Sequence, residues 1–204
     1  MNLWLPALPD ATLIPLWIKI AYTVFVAVLV PVYWKKWGLA NFLWFSDVAL
    51  FVMLAAVWLE SSLLASMMGV AVLIPEIAWN VSYFVQLLTG KRLFSLTDYM
   101  FDSTKSRFLR ALSLFHVVLP PLILWMIWKT GFHESAFWYQ VLFGWAVLLF
   151  TFLFTSPAEN INMVFGPGAK PQTRLSPKRY LLLVMLGLAI GIYLPAYLIL
   201  QLVF

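Results

Sequence analysis

The chain has 204 residues, of which 64% are hydrophobic and only 10% are charged, and its formal net charge is +5. A soluble domain of this length needs far more polar surface, so the composition predicts an integral membrane protein. The sequence contains no cysteine, which excludes disulfides, thiolate metal sites and a cysteine nucleophile.

Six apolar segments follow one another along the chain, each long enough to cross a hydrocarbon core of roughly 30 Å at about 1.5 Å per residue. We therefore predict an all-α, polytopic membrane protein with one transmembrane domain that covers residues 1–204. The predicted spans are approximately 14–33, 43–59, 63–88, 109–128, 136–155 and 180–204. Pro75 in the third span and Pro120 and Pro121 in the fourth are expected to kink the helices without ending them, because neighbouring helices can satisfy the freed carbonyls.

The basic residues are concentrated in three loops that alternate along the chain. They are Lys35, Lys36, Lys91, Arg92, Lys105, Arg107, Arg110, Lys170, Arg174, Lys178 and Arg179. Because Lys and Arg collect on the cytoplasmic side of a membrane, both termini are predicted to be extracytoplasmic. The position of these residues at the ends of spans favours contact with membrane lipids and argues against nucleic-acid binding.

An ionisable side chain inside a membrane span costs roughly 2.5–3.5 kcal/mol. Four polar residues in the predicted spans stand out as candidates for a functional site. They are Asp47, Glu76, Asn80 and His116. No Lys or Arg lies at the depth of Glu76, so this carboxyl must be protonated, paired with His116 or bound to a cation. Glu76 and Asn80 share one helix face, and Ser113 shares a face with His116. We predict that Glu76 and His116 approach each other in one cavity that opens to the cytoplasm.

Candidate roles follow from these positions. The predicted catalytic residues are Glu76, His116 and Asp47, and Asp47 fits a helix N-cap equally well. The predicted substrate-binding residues are Asn80, Ser113, Glu159, Asn160 and Asn162. The last three belong to an apolar loop segment that is expected to fold back toward the membrane and join the cavity. No metal ligand is assigned, although a single metal held by carboxylates and His116 stays open.

Five short segments carry a resemblance to a known family. They are WFSD (44–47), PEIAWN (75–80), YMFD (99–102), LRALSLFH (109–116) and ENIN (159–162). They resemble segments of an uncharacterised family of bacterial multi-span membrane proteins of planctomycete type. That family has no assigned activity. The resemblance therefore implies kinship only and assigns no role to any residue. With the charge bias, it implies a multi-pass protein of the bacterial cytoplasmic (inner) membrane.

Three functions remain open. The leading hypothesis is a membrane-embedded enzyme that acts on a lipid or isoprenoid, with Glu76 and His116 as an acid/base pair. The second is a small proton-coupled transporter, in which a half-buried carboxylate beside a Pro-broken helix carries the proton. The third is a structural or assembly subunit, in which the polar cluster only holds helices together. The sequence identifies no cofactor and leaves the oligomeric state open.

Overall fold

The computed structural model of the chain describes residues 12–168 and 170–204, so the first residues of the predicted domain lie outside the described part. All regular secondary structure in these residues is helical, which confirms the all-α prediction. The helices are α1 (Leu16–Trp37), α2 (Phe45–Leu59), α3 (Ser62–Thr89), α4 (Asp98–Phe101), α5 (Arg107–Leu112), α6 (Phe115–Thr130), α7 (Ala136–Phe154), α8 (Pro177–Leu188) and α9 (Leu194–Val203). A π-helical turn, Ala189–Tyr193, joins α8 to α9.

Five helical stretches in the described residues are long and apolar enough to cross a membrane. They are Leu16–Trp37, Ser62–Thr89, Arg107–Thr130, Ala136–Phe154 and Pro177–Val203. Helix α2 is apolar as well, but it has only 15 residues and is shorter than these five. The chain therefore has the helices of a membrane protein, and the crossing of the membrane by a sixth helix stays a prediction.

Helix α3 is the central element of the bundle. It packs against α2, α6, α7 and α9, and it is the most buried of the five long helices. Gly69 lets α6 and α9 approach closely, because a Cβ atom there would lie 3.0 Å from side-chain carbons of both Ile127 and Leu200. Close approach through small residues is typical of helix packing in membranes. The buried side chains of α3, Glu76 among them, therefore lie inside the bundle.

The prolines and the breaks in the long helices fall at different places. Helix α3 continues through Pro75 and α6 continues through Pro120 and Pro121, so these prolines do not end their helices. The predicted span 109–128 is instead interrupted after Leu112, where the backbone turns tightly through i→i−3 hydrogen bonds. The predicted span nevertheless lies within one apolar helical stretch, Arg107–Thr130. At the interruption the Ser113 hydroxyl lies 2.7 Å from the Tyr33 hydroxyl and donates to the Leu109 carbonyl.

Contacts between the three basic loops place them at one end of the bundle. Lys105 lies 4.7 Å from the ring centroid of Trp37, and the Ser82 hydroxyl lies 3.1 Å from that of Thr97. The second of these contacts folds the loop after α3 back against α3. We call this end of the bundle the basic end.

At the opposite end, Glu60 forms the turn between α2 and α3. Its backbone is left-handed, with φ 51°, and the next residue, Ser61, caps α3 by accepting a hydrogen bond from the Leu64 amide. The Glu60 carboxylate accepts hydrogen bonds from the Leu13 amide and from the Lys19 ammonium group. These bonds attach the start of α1 to the tight turn that the sequence predicts here.

Candidate functional site

The Glu76 carboxylate and the His116 ring form a buried pair between α3 and α6. His116 Nδ1 lies 2.8 Å from Glu76 Oε2 and 3.1 Å from Glu76 Oε1. The Glu76 side chain is 3% exposed and the His116 side chain 12%. The imidazole ring stacks on Trp79 at 4.5 Å and on Phe115 at 4.1 Å between ring centroids. The predicted contact between the two residues is formed, and the stacked rings fix the orientation of the imidazole.

This geometry distinguishes the two ring nitrogens of His116. A carboxylate that faces Nδ1 accepts a hydrogen bond from Nδ1–H, and in that tautomer the lone pair of Nε2 is available. Nε2 itself forms no hydrogen bond with any residue between 12 and 204 that the structure describes. The pair therefore has the arrangement in which a carboxylate orients a histidine for proton transfer through its other nitrogen.

Asn80 joins this pair, as its spacing from Glu76 predicts. Its side-chain amide donates one hydrogen bond to the Glu76 carbonyl at 2.8 Å and another to the His116 carbonyl at 2.7 Å. Both amide hydrogens are used on backbone acceptors, so Asn80 connects α3 to α6 beside the pair. If Asn80 contacts a substrate, as the sequence predicts, its side-chain oxygen is the atom that makes the contact.

Asp47 is a buried carboxyl on α2 near the pair. Its side chain is 4% exposed, and it lies within electrostatic range of Glu76. Asn41 approaches Oδ2 at 3.4 Å, while Oδ1 is buried and has no hydrogen-bond partner among the described residues. The N-cap residue of α2 is Trp44, and Asp47 lies within the first turn without capping the helix through its side chain. The N-cap alternative is therefore not what the structure shows.

Three hydroxyl groups extend the polar cluster beyond Glu76, His116 and Asp47. The Ser113 hydroxyl lies 2.7 Å from the buried Tyr33 hydroxyl, and Tyr99 lies within reach of Ser113 and of the Trp79 indole. The indole N–H nevertheless has no hydrogen bond of good geometry among the described residues. Burial raises the pKa of the Tyr99 phenol above its ordinary value, so this hydroxyl keeps its proton. Ser113 contacts Tyr33 rather than His116, which gives it no base to activate it as a nucleophile.

The Glu159–Asn162 segment does not join the pair as the sequence predicts. Glu159 accepts a hydrogen bond from the Ser156 amide of its own turn. Asn160 uses its amide on the backbone of Phe165, Gly166 and Gly168. These bonds favour a structural role for both side chains over contact with a substrate.

Asn162 has a comparable role at the start of α2. Its side-chain nitrogen donates to the Leu43 carbonyl and its oxygen accepts from the Phe45 amide. Its backbone is left-handed at φ 52°, a region that asparagine tolerates better than most residues. The loop does fold back as expected, because Val164 and Phe165 pack against Leu148 and Leu181. Asn162 therefore fastens the loop to the helix that carries Asp47.

A groove on the surface of α3 and α6 passes beside the pair. Its volume is about 510 Å³, and its walls include Ile77, Asn80, Val81, Phe84, Val117 and Pro121. We call it the α3–α6 groove. Three of its apolar walls, Ile77, Val81 and Phe84, are exposed, so in a membrane they face lipid. Because Asn80 is both a wall of the groove and a partner of His116, a ligand in the groove lies one side chain away from the pair.

No set of three or more His, Asp or Glu side chains in residues 12–168 and 170–204 is placed to hold a metal ion. Glu76 and His116 contact each other directly, and Asp47 does not complete a set of three ligands with them. The described residues therefore offer polar groups for proton transfer and hydrogen bonding at this site.

Three members of the cluster, Trp79, Tyr33 and Tyr99, are not among the predicted site residues. Trp79 follows Glu76 by three positions, so helical spacing places it on the same face. Tyr33 reads as part of an aromatic and basic collar at the end of the first span, and only its contact with Ser113 reveals its role. Tyr99 lies in the short helix α4, and its position depends on how the segment between α3 and α5 folds against α3.

Comparison of the chain with protein-family models, with curated proteins and with solved structures finds no match. The resemblance to a bacterial multi-span family stays a prediction.

Proposed function

We propose that this protein is a membrane-embedded enzyme that acts on a lipid or isoprenoid, with His116 as the acid/base group and Glu76 as the residue that orients it. The observation that carries the proposal is the 2.8 Å contact between Glu76 Oε2 and His116 Nδ1. A histidine held in this way can take a proton from water or substrate at Nε2 and return it to a leaving group. Asp47, whose carboxyl lies near Glu76, is the third candidate catalytic residue.

The surroundings of the pair support a lipid as the substrate. The α3–α6 groove has mostly apolar walls, and a groove open to the bilayer admits a chain without transfer through water. Burial of the pair also strengthens its electrostatic interactions, because the local dielectric constant is low.

Lipid turnover by reconstituted protein tests the proposal. Purified protein is placed in vesicles of total bacterial lipid extract, and the lipid species are followed by mass spectrometry. Glu76→Gln keeps the shape of the side chain and should slow turnover by about 10²- to 10⁴-fold, which is the usual size of an acid/base contribution. Glu60→Gln is the matched control, since it makes the same chemical change outside the site and should leave turnover unchanged.

Equal turnover by the wild type and Glu76→Gln would contradict the enzymatic role. If the cluster only holds helices together, Glu76→Gln should be nearly silent and Glu76→Leu should be tolerated or even stabilising.

A proton-coupled transporter is the second candidate, and one observation favours it. Asp47 presents a buried carboxyl oxygen without a partner in the described residues, within electrostatic range of Glu76. Isolated carboxyl groups inside a membrane are typical of proton pathways. In vesicles with an imposed pH gradient, a transporter would move protons in an Asp47-dependent way in the presence of its solute, whereas the enzyme would not.

We further propose that all six predicted segments cross the membrane, with both termini on the extracytoplasmic side. The support is the placement of the three basic loops at one end of the bundle. The chain has no natural cysteine, so single cysteines at Lys35, Ser95 and Gln172 can be labelled one at a time in intact cells. An impermeant reagent should not reach any of the three, and labelling from outside would overturn the orientation.

A further inference from the structure

A recess at the basic end lies directly beside the α3–α6 groove and contains two arginines. Its volume is about 330 Å³, and its walls include Tyr83, Leu87, Phe101, Arg107, Arg110 and Leu114. We call it the arginine recess. Apart from the two guanidinium groups, its walls are mainly apolar and aromatic. A recess of this kind suits a ligand that carries both an anionic group and hydrocarbon.

In the described part of the chain, the walls of the arginine recess carry two positive charges and include no carboxylate. Among the described residues no ion pair involves Arg107 or Arg110, whereas Arg92 in the same segment pairs with Asp98. Asp102 interacts electrostatically with Lys105 and Arg110, but it forms no ion pair with either in the described residues, and its Oδ1 accepts hydrogen bonds from the Thr104 amide and hydroxyl, at 2.9 and 2.7 Å. The recess therefore carries a net positive charge.

Arg110 is held in place and has one donor without a partner in the described residues. One of its terminal nitrogens donates to the Met100 carbonyl at 3.1 Å, which fixes the guanidinium group. Its Nε is buried and has no hydrogen-bond partner in the described part of the chain. A buried donor without an acceptor is costly, and a guanidinium group fits phosphate oxygens through two parallel hydrogen bonds.

The recess and the groove are lined by neighbouring residues of the same two helical stretches. On α3, Tyr83 and Leu87 line the recess and the adjacent Phe84 lines the groove. After the break between α5 and α6, Leu114 lines the recess and Val117, one turn later, lines the groove. A molecule with its anionic group at the arginines can therefore extend its chain along the groove without leaving the protein surface.

We propose that Arg107 and Arg110 bind the phosphate of an anionic phospholipid whose hydrocarbon chain lies in the α3–α6 groove. Basic recesses between helices at the cytoplasmic end of membrane proteins are suited to such headgroups. Its assignment as the substrate rests on the proposed function. His116 is six residues beyond Arg110, a rise of about 9 Å along a helix. The pair would then act near the junction of headgroup and chain.

Retention of lipid by the purified protein tests the binding step. Protein is reconstituted in equal parts of phosphatidylglycerol and phosphatidylcholine and extracted into detergent, and the bound lipid is counted by native mass spectrometry. The wild type should retain phosphatidylglycerol in preference to phosphatidylcholine. The double variant Arg107→Gln, Arg110→Gln should retain about tenfold less phosphatidylglycerol, since it loses charge-assisted hydrogen bonds.

A matched control separates a specific site from general surface charge. The double variant Lys178→Gln, Arg179→Gln removes the same charge from the first turn of α8, and it should retain phosphatidylglycerol like the wild type. An equal loss in both double variants, or equal retention of the two lipids by the wild type, would overturn the site. Displacement of the lipid by millimolar inorganic phosphate would identify a site for free phosphate and overturn the lipid assignment.

Two further variants keep the test decisive if the Arg110 change disturbs folding. Arg107 is exposed, so Arg107→Gln alone should fold normally and still reduce phosphatidylglycerol retention. Arg110→Lys keeps the charge but loses the planar fork and should reduce it as well. Unchanged retention in both single variants would overturn the proposal.

Turnover measurements distinguish this inference from the proposed function. If both are correct, the double arginine variant should lose turnover and lipid retention together. Glu76→Gln should lose turnover and keep retention. Glu76-dependent turnover that survives loss of the arginines would overturn the substrate assignment and leave the acid/base role standing.

Discussion

Two glutamates of this protein make contacts of nearly equal length and have opposite surroundings. Glu60, at the turn before α3, lies 2.7 Å from the Lys19 ammonium nitrogen, and Glu76, within α3, lies 2.8 Å from His116 Nδ1. The Glu60 side chain is 19% exposed and also accepts backbone amides, whereas Glu76 is 3% exposed. The first contact attaches one helix to a turn. The second holds a ring that has another nitrogen available for chemistry.

The length of a contact alone therefore does not distinguish a structural pair from a functional one. Lys19 ends in a single ammonium group, and its contact with Glu60 occupies it. His116 contacts Glu76 through only one of its two nitrogens and is held by stacked rings on Trp79 and Phe115. Variants of the two pairs should therefore differ in both the size and the kind of their effects.

The largest effect is expected at the buried pair. His116→Ala leaves the Glu76 carboxylate buried without its partner and should lower the free energy of unfolding by about 3–5 kcal/mol. Steric trapping of the protein in lipid bicelles measures this quantity. The double variant His116→Ala, Glu76→Leu is the control and should recover much of the loss, because no unpaired charge remains. If His116→Ala lowers the free energy of unfolding by less than about 1 kcal/mol, the two pairs contribute equally to stability and the distinction between them is wrong.

A smaller effect is expected where a buried amide supports the fold without chemistry. Asn162→Ala removes the partners of the Leu43 carbonyl and the Phe45 amide and should lower the free energy of unfolding by about 1–3 kcal/mol. Lipid turnover per folded molecule should stay at the wild-type level, measured in the same vesicles as for Glu76→Gln. Normal stability combined with lost turnover would restore the predicted substrate contact of Asn162.

The Lys19–Glu60 pair should contribute less still. Lys19→Met removes the ammonium group but leaves Glu60 its two backbone donors, so the loss should be about 1 kcal/mol or less. Thermal unfolding in detergent at low and high salt measures it, and turnover should not change. A loss as large as that of His116→Ala would show that the Lys19–Glu60 pair is the main attachment between helices.

The pH dependence of Glu60 gives the smallest and most specific signal. The hydrogen bond from Lys19, followed by those from the Leu13 and Ile14 amides, holds the pKa of Glu60 below its ordinary value of 4.5. A carboxyl with a lowered pKa stabilises the fold above its ordinary pKa, and this contribution is lost as the pH falls through the lowered value. The stability difference between the wild type and Glu60→Gln should therefore be present at neutral pH and vanish in acid. A difference that persists in strong acid would exclude the ion pair as its cause.

The contact between Glu76 and His116 could be predicted because it depends on quantities that the sequence contains. Helical rise gives the depth of each residue, and the cost of an unpaired carboxylate in a membrane requires a partner at that depth. The same reasoning places Asn80 on the face of Glu76. These inferences need helices that continue without interruption, and α3 does so through Pro75.

The loop contacts could not be predicted, because they depend on backbone conformations that only the folded protein determines. Asn160 and Asn162 are left-handed, so the alternation expected of an extended segment does not apply to them. Ser113 lies at a break that no proline or glycine marks in the sequence, and the break directs its hydroxyl to Tyr33. The polar character of these residues is visible in the sequence, and their partners are not.

The shortness of α2 has a consequence for the bilayer itself. Its 15 residues extend about 22 Å at 1.5 Å per residue, against a hydrocarbon core of roughly 30 Å. If α2 crosses, the lipid beside it must thin, and such mismatch costs fractions of a kcal/mol per Å. The thinning would bring headgroups and water closer to the first turn of α2, where Asp47 lies. Acyl-chain length would then control both the stability of the protein and the membrane regions in which it collects.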